Sequence, residues 1–339
     1  MMTSMMAREI ATQPELMLSI QPVLARICDG LQKPRGRVFV GGCGDSAFAP
    51  KALAAVFRQI GVPIVPCSAM DLTGYIDLEP ADTVILSSIS GSTRRSVEAA
   101  RVAHSRGARV VAVTCNGDST LGLAADELVV LPYTPLSRKT PHTLDYTVTL
   151  LALVEIARSY AALPQESTRA ILATMPGVLA CARSEAAAVV PVAKEFGKFF
   201  FLGAGPGLGT AEYGAAKFHE AGGLVAIAAE TENFVHGMNF MLEPDDLLIA
   251  IGGSNLAERR GGEVLSAFAS LVATNHMHVG NAGSGSWQDK FADVMAQTFF
   301  VQCLCLQVST LLNLQLEEPR AGRPCGAVHL AAQTIAMAN

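Results

Sequence analysis

The sequence predicts two tandem α/β units, each a doubly wound parallel sheet, with helical extensions at both ends of the chain. Three observations carry this. Short apolar strands alternate with helical stretches of about ten to fifteen residues, the order of a parallel sheet covered by helices. The series then recurs: Gly44 corresponds to Gly205, an offset of 161, and Asp82 to Asp246, an offset of 164, as expected of one unit present twice. Finally, 50% of the residues are hydrophobic and 16% charged, with 30 glycines among 339 residues, which suits buried parallel strands and about two domains of ordinary size. The expected organisation is a helical lead-in over 1–32, a first unit over 33–165, and a second unit with a C-terminal tail over 166–339.

Taken in order, apolar positions at Ile10, Leu16, Ile20, Leu24 and Ile27 fall near helical spacing and predict a helix over 5–32. Strands are expected at 37–44, 62–69, 83–90, 109–115 and 127–133, with helices from Ser46 to Arg58 and within 91–107. A Pro-containing polar stretch at 161–168 marks the hinge. Strands then return at 198–205, 224–229, 246–254 and 270–279, with helices at 210–220 and near 260–270.

The net charge of −5 and the lack of a basic run argue against nucleic acid or an anionic membrane as partner. The Met-rich start has no long apolar core, so a signal peptide is not expected. Glu155, Gln302 and Gln307 interrupt the most apolar helical stretches, so no membrane span is expected either. The eight cysteines are scattered and read as small buried apolar residues of a reduced, cytoplasmic protein. His276-x-His278 would share a strand face, but without a third ligand the pair reads as structural, and no metal is expected.

In a doubly wound sheet, ligands sit beyond the carboxyl ends of the strands. That directs attention to 42–46, 87–93, 133–143, 203–210 and 230–237. Ser87-Ser88-Ile89-Ser90-Gly91-Ser92-Thr93 follows a strand and opens a helix. Its hydroxyls, with backbone N–H groups at a helix N-terminus, make an anion site without a lysine, and Gly91 lets the backbone approach the oxygens. A helix cap would use one or two of these five hydroxyls. Gly42-x-Gly44-x-x-Ala47 formally fits a dinucleotide fingerprint. The second strand, however, ends in Pro66-Cys67-Ser68-Ala69 rather than in the acid that would hold a ribose, so no nucleotide cofactor is expected.

The other stretch with chemistry is Lys217 to Gly237, where a helix bearing Glu220 leads through a strand to a polar turn closing on His236. Carboxylate and imidazole together can move protons near neutral pH. A surface Glu and a turn His are the plain alternative.

With these residues assembled, the chain resembles the sugar isomerase (SIS) domain family. It looks most like the tandem-SIS proteins related to the isomerase half of glucosamine-6-phosphate synthase and to fructosamine-6-phosphate deglycases. Met6-x-x-Glu9-Ile10-x-x-Gln13-Pro14 looks like that family's N-terminal segment, and Gly42-Cys43-Gly44-Asp45-Ser46 resembles its G-x-G-T-S turn. Ser88 to Thr93 resembles the phosphate loop, Lys217-x-x-Glu220 the K-x-x-E element, and His236-Gly237 the H-G pair, at the family's sixteen-residue step from Glu220 to His236. Ile89, Ser92, Asp45, Asn233 and Met238 depart from the usual residues. The tail has Glu318-Pro319-Arg320 but Arg323-Pro324-Cys325 where a catalytic lysine is expected. This departure tells against aminating synthase chemistry and loosens the assignment to plain isomerisation. No glutamine amidotransferase segment is read ahead of the unit, so glutamine-derived ammonia is not expected.

The resemblance implies flavodoxin-like SIS units, a sugar-phosphate substrate and a homodimer in which the loop His can complete the neighbour's site. Substrate contacts are implied at Gly44, Asp45, Ser46, Ser88, Ser90, Gly91, Ser92, Thr93 and Lys217. Glu220 would move the proton between C1 and C2 of an amino or glycated hexose 6-phosphate, and His236 would serve ring opening. A fructosamine-6-phosphate deglycase or an amino-sugar-phosphate deaminase would use the same two groups, and a non-catalytic sugar-phosphate sensor is the alternative of another class.

Overall fold

The computed structural model describes residues 4–137, 141–190, 197–252, 255–272, 274–278, 285–320 and 323–338. Of the strands and loops read above, 138–140, 253–254, 273 and 279 therefore lie outside the described residues. The chain divides into two compact units, each around one parallel sheet. One comprises 15–135, 144–173 and 325–339, and the other 1–14, 136–143 and 174–324.

The helix α1 (Met5–Asp29) is shared between them in sequence. The first-sheet unit then runs β1 (Val38–Gly42), α2 (Asp45–Ile60), β2 (Ile64–Ser68), α3 (Ala69–Gly74), β3 (Thr83–Ser87), α4 (Arg94–Ser105), β4 (Arg109–Thr114), α5 (Thr120–Leu123) and β5 (Glu127–Val130). It continues with α6 (Leu144–Tyr160) and α7 (Glu166–Leu172). All strand pairs are parallel, in the order β2-β1-β3-β4-β5. β1 and β3 are buried along their whole length, so both faces carry apolar side chains without alternation. Small residues on α4 (Ala99, Ala100, Ala103) pack against Val84, Leu86, Val110 and Ala112, letting the helix lie close to the sheet. α6 is buried throughout; its Glu155 and Arg158 pair at 2.5 Å, and Arg158 also reaches Asp29 and the Leu163 carbonyl.

The second-sheet unit follows with α8 (Met175–Val189), β6 (Phe199–Gly203), α9 (Pro206–Glu220), β7 (Ala226–Glu230), α10 (Thr231–Val235), a 3₁₀ turn (Met238–Met241), β8 (Leu247–Ile251), α11 (Asn255–Phe268), β9 (Thr274–His278) and α12 (Trp287–Leu311). Its strands are parallel in the order β7-β6-β8-β9. Phe199 and Phe201 of β6 point to one face and enclose Phe218 of α9 at 4.6 and 5.2 Å between ring centroids. Phe200, on the opposite face, meets Phe234 of α10 edge-on at 5.8 Å. α12 is long and apolar enough to cross a membrane by length and composition, yet 72% of its most apolar window is buried, as in the core helix of a folded unit. The last helix, α13 (Gly326–Ala338), groups with the first-sheet unit and has no buried residue; Arg94 donates to its Ala338 carbonyl at 3.0 Å.

Both glycine turns read as equivalent adopt the same backbone: Gly44 and Gly205 each have φ 54° and ψ −125° and precede α2 and α9. The positive φ suits glycine, which has no Cβ to oppose it. The two aspartates also do the same work. Asp82 accepts from the N–H groups of Arg37 (3.2 Å) and Glu79 (2.8 Å) and pairs with the Arg37 side chain at 2.7 Å. Asp246 accepts from Lys198 N–H (2.6 Å) and Glu243 N–H (2.8 Å) and pairs with the Lys198 side chain at 3.1 Å. Each ties the entrance of one strand to the turn before the next. Burial would raise the Asp82 carboxyl, but the Arg37 guanidinium and the N–H donors outweigh it, and it lies below its usual range.

Two expectations are corrected. The stretch 231–235 is not a polar turn but the helix α10, because the Glu230 side chain caps it by accepting from Glu232 and Asn233 N–H. The cysteines are not uniformly buried: Cys28, Cys67, Cys303 and Cys305 are, while Cys43, Cys181 and Cys325 are exposed and Cys115 is half-buried. Replacing Asp82 by Ala is expected to lower the unfolding free energy by about 2 kcal/mol, since partly buried N–H donors lose their acceptor. A urea titration of both proteins checks this.

Candidate active site

At the carboxyl end of the first sheet, β1 and β3 pair with Gly42 opposite Ser87, so the turns that follow them are neighbours. The sequence-predicted residues Gly44, Asp45, Ser46, Ser88, Ser90, Gly91, Ser92 and Thr93 thus occupy two adjoining turns; Cys43 Sγ lies 3.8 Å from Ser96 Oγ across them. None of the five hydroxyls caps α4: Thr93 holds the N-cap position without a side-chain cap bond. Ser88 Oγ and Thr93 Oγ1 instead bond to each other at 2.9 Å, Ser92 Oγ donates to Ser90 Oγ at 2.9 Å, and Ser87 Oγ is buried without a partner among the described residues. Hydroxyls bonded to one another at a helix N-terminus can turn their protons to an incoming anion.

Gly91 is tied into the loop by its own backbone. Its N–H is bonded to the Ser88 carbonyl at 3.0 Å. Its value lies in close packing: φ is 65°, and a Cβ there would stand 1.9 Å from Ser119 Oγ. Sequence reasoning missed the residues that brace the loop. Leu121 N–H donates to the Gly91 carbonyl (2.8 Å), and Cys115 N–H (3.1 Å) and Thr114 Oγ1 (3.2 Å) both donate to the Ile89 carbonyl. Nearby, Tyr133 donates to Asp145 at 2.5 Å, and burial with that carboxylate pushes the phenol well above its usual range.

In the second-sheet unit, Glu220 is the last residue of α9 and Lys217 stands one turn earlier. Their side chains meet at 2.5 Å. The lysine is 1% exposed and the glutamate 29%, so a buried ammonium faces a carboxylate that solvent and ligands can reach. A carboxylate at a helix C-terminus opposes the helix dipole, which makes the adjacent ammonium its necessary partner. Lys217 Nζ also donates to the His142 carbonyl at 3.4 Å and sits 5.2 Å over the Tyr213 ring. The pairing of Lys217 with Glu220 is the one the i, i+3 spacing predicts. His142, Tyr213 and Gln302, which donates to Tyr213 OH at 2.9 Å, were not read as site residues from sequence. His236 stands on a different element, exposed at the end of α10, its N–H bonded to the Glu232 carbonyl at 2.9 Å.

His276 and His278 have a third partner after all. Glu185 of α8 meets His276 Nε2 at 2.6 Å and His278 Nδ1 at 3.0 Å, with Phe300 stacked on the His278 ring. Burial would raise the Glu185 carboxyl, but the two imidazoles bring it down to about 2. Among the described residues, no group of three or more His, Cys, Asp and Glu is arranged to hold a metal ion.

The SIS domain profile matches residues 30–157 and 194–259, more than half of the chain. The chain belongs to the SIS domain family. Among curated SIS relatives, the glutamine–fructose-6-phosphate aminotransferase (isomerizing) of Pyrobaculum aerophilum is 26% identical over 326 residues, covering 92% of this chain and 53% of the relative. The 3-hexulose-6-phosphate isomerase of Mycobacterium gastri is 35% identical over 107 residues, 32% of this chain and 51% of the relative. The chain spans about half the length of these curated relatives. In fold it is similar to glucosamine-6-phosphate deaminase from Thermotoga maritima, with a TM-score of 0.78 at 19% identity over 93% of this chain and 97% of that one. It is likewise similar to tagatose-6-phosphate ketose/aldose isomerase from Escherichia coli, with a TM-score of 0.71 at 18% identity over 90% and 93%.

If the hydroxyl loop of this SIS chain is its anion site, Ser90→Ala should weaken binding of a hexose 6-phosphate by roughly 1–3 kcal/mol, the worth of a hydrogen bond to a charged group. Calorimetry on the folded variant measures it; unchanged affinity would remove the loop from the site.

Proposed function

We propose that this SIS chain is a phosphosugar isomerase-type enzyme acting on a hexose 6-phosphate, amino-substituted or glycated, through an enediol or enolamine. The observation that carries the reading is the Lys217–Glu220 pair, a buried ammonium 2.5 Å from a partly exposed carboxylate. An adjacent ammonium favours the ionised form of a carboxylate, the form that a general base needs. In this reading Glu220 takes the proton from one of the two carbons C1 and C2 and returns it to the other. The ammonium offsets the negative charge that develops on the substrate oxygen. Within the first-sheet unit, the loop 88–93 with the turn 44–46 is the candidate phosphate site; within the second-sheet unit, the exposed His236 is the candidate for proton exchange at the ring oxygen. When the enolamine is instead reprotonated on carbon to an imine, water adds to that imine and ammonia or the amino acid leaves as the free amine, so the isomerase and the deaminase or deglycase readings share one first step.

The decisive measurement is solvent deuterium entering C1 or C2 during incubation with a panel of hexose 6-phosphates and their amino and glycated derivatives. Ammonia or amine release is followed in parallel. Glu220→Gln is expected to keep sugar-phosphate affinity while exchange falls by about two to four orders of magnitude, the usual worth of a positioned base. Exchange as fast as in the parent would exclude Glu220 as the base. Binding with no exchange by the parent on any substrate would make the chain a sensor.

A dimer with shared sites predicts complementation. After subunit exchange between inactive Glu220→Gln and inactive His236→Asn, about a quarter of the sites should regain both groups, from counting under two-fold symmetry. No recovery after verified exchange would put both residues in one subunit's own site.

A further inference from the structure

Lys217 does not hold its position alone. Two of its partners, the His142 carbonyl and the Tyr213 ring, are themselves fixed by a chain of buried polar contacts that begins on α1. Glu9, 1% exposed, accepts both from Thr143 N–H at 2.8 Å and from Thr143 Oγ1 at 2.9 Å, and both bonds fall on its Oε2. From α12, the fully buried Gln302 donates to the Thr143 carbonyl at 3.3 Å and to Tyr213 OH at 2.9 Å, while its own Oε1 accepts from Gln13 at 2.9 Å. The N–H, the hydroxyl and the carbonyl of Thr143 are therefore all held. The carbonyl of the preceding residue, His142, is thereby presented to Lys217 Nζ at 3.4 Å.

We propose that Glu9 is a positioning residue for the Lys217–Glu220 pair. By clamping Thr143 it fixes the His142 carbonyl, and through the shared Gln302 it fixes the Tyr213 ring. Both groups help keep the ammonium turned toward Glu220. The choice of a carboxylate has a physical reason: two donors converge on one oxygen, and an ionised acceptor makes both bonds charge-assisted, about twice as strong as neutral ones. A glutamine of the same shape would offer only a neutral carbonyl. Without the clamp the 141–143 segment is freer to move, and the ammonium loses an acceptor that a buried cation needs. The catalytic consequence rests on the role proposed above for Glu220; the clamp itself does not.

The test uses the full chain as parent, Glu9→Gln and Thr143→Val, with two readouts. The first is acylation of the Lys217 amine by a small amine reagent, mapped by peptide mass spectrometry and normalised to the exposed Lys33. Glu9→Gln is expected to raise Lys217 labelling by about tenfold, the equilibrium worth of a hydrogen bond to a charged group. Thr143→Val, which deletes only the hydroxyl bond, should raise it by a smaller factor. The second is deuterium wash-in, where Glu9→Gln should lower kcat about tenfold and leave KM within about twofold, the split of a group that acts on the chemical step rather than on binding. A residue that only braces the fold would lower the urea midpoint and leave both readouts at the parent level. Parent-level labelling of Lys217 in folded Glu9→Gln overturns the proposal. If that variant does not fold, parent-level labelling in Thr143→Val does so. Should the parent exchange no proton on any sugar phosphate, the base reading of Glu220 falls, and the labelling arm still decides the clamp.

Discussion

A lysine ammonium taken out of water is stable only where charge and hydrogen-bond acceptors replace the water it has lost. Lys217, 1% exposed, sets that condition for the second-sheet unit. Among the described residues, a carboxylate, a backbone carbonyl and an aromatic face contribute to meeting it, and each comes from a different stretch of chain or a different turn of α9. It also accounts for an otherwise unfavourable arrangement, a glutamate at the negative end of a helix. Because the polar groups around Lys217 are buried, they need partners in turn, and Gln302 with three hydrogen bonds joins α1, α9, α12 and the 141–143 segment.

The first-sheet unit deals with charge differently. Its turns at 42–46 and 88–93 carry hydroxyls, glycines and the open end of a helix rather than a cation. Such a surface offers dipoles to an anion without burying a charge when no ligand is bound. What it requires is a fixed backbone. That is supplied from outside the loop, by Thr114, Cys115 and Leu121 donating to the Ile89 and Gly91 carbonyls, and by Ser119 packed where a Gly91 side chain would stand. Among the described residues, the hydroxyls of Ser88, Ser90, Ser92 and Thr93 bond to one another or to a loop N–H.

Much of this was legible in the order of residues because it is local. Runs such as Phe199–Leu202 read as buried parallel strands, and the glycines at 44 and 205 mark turns whose backbone angles prove identical. Lys217 and Glu220 lie one helical turn apart, so helix geometry alone puts them on one side. Where local reading failed, a competing local bond had been overlooked: Glu230 caps α10 and turns an apparent polar loop into a helix.

The sequence by itself determined the strand–helix order, the recurrence of the unit, and the residues that carry hydroxyl and carboxylate chemistry. The tertiary structure alone decided their partners. Glu9 and Thr143 are 134 positions apart, and Gln13 and Gln302 are 289 apart. No periodicity or spacing links such residues, because a hydrogen bond between distant segments exists only once packing has brought their elements within about 3 Å. The same holds for Glu185, which turns the His276–His278 pair from two strand residues into a hydrogen-bonded cluster only when α8 lies across β9. Local spacing is set by bond geometry and survives in the sequence, whereas the choice among many possible distant partners is made by the packed core.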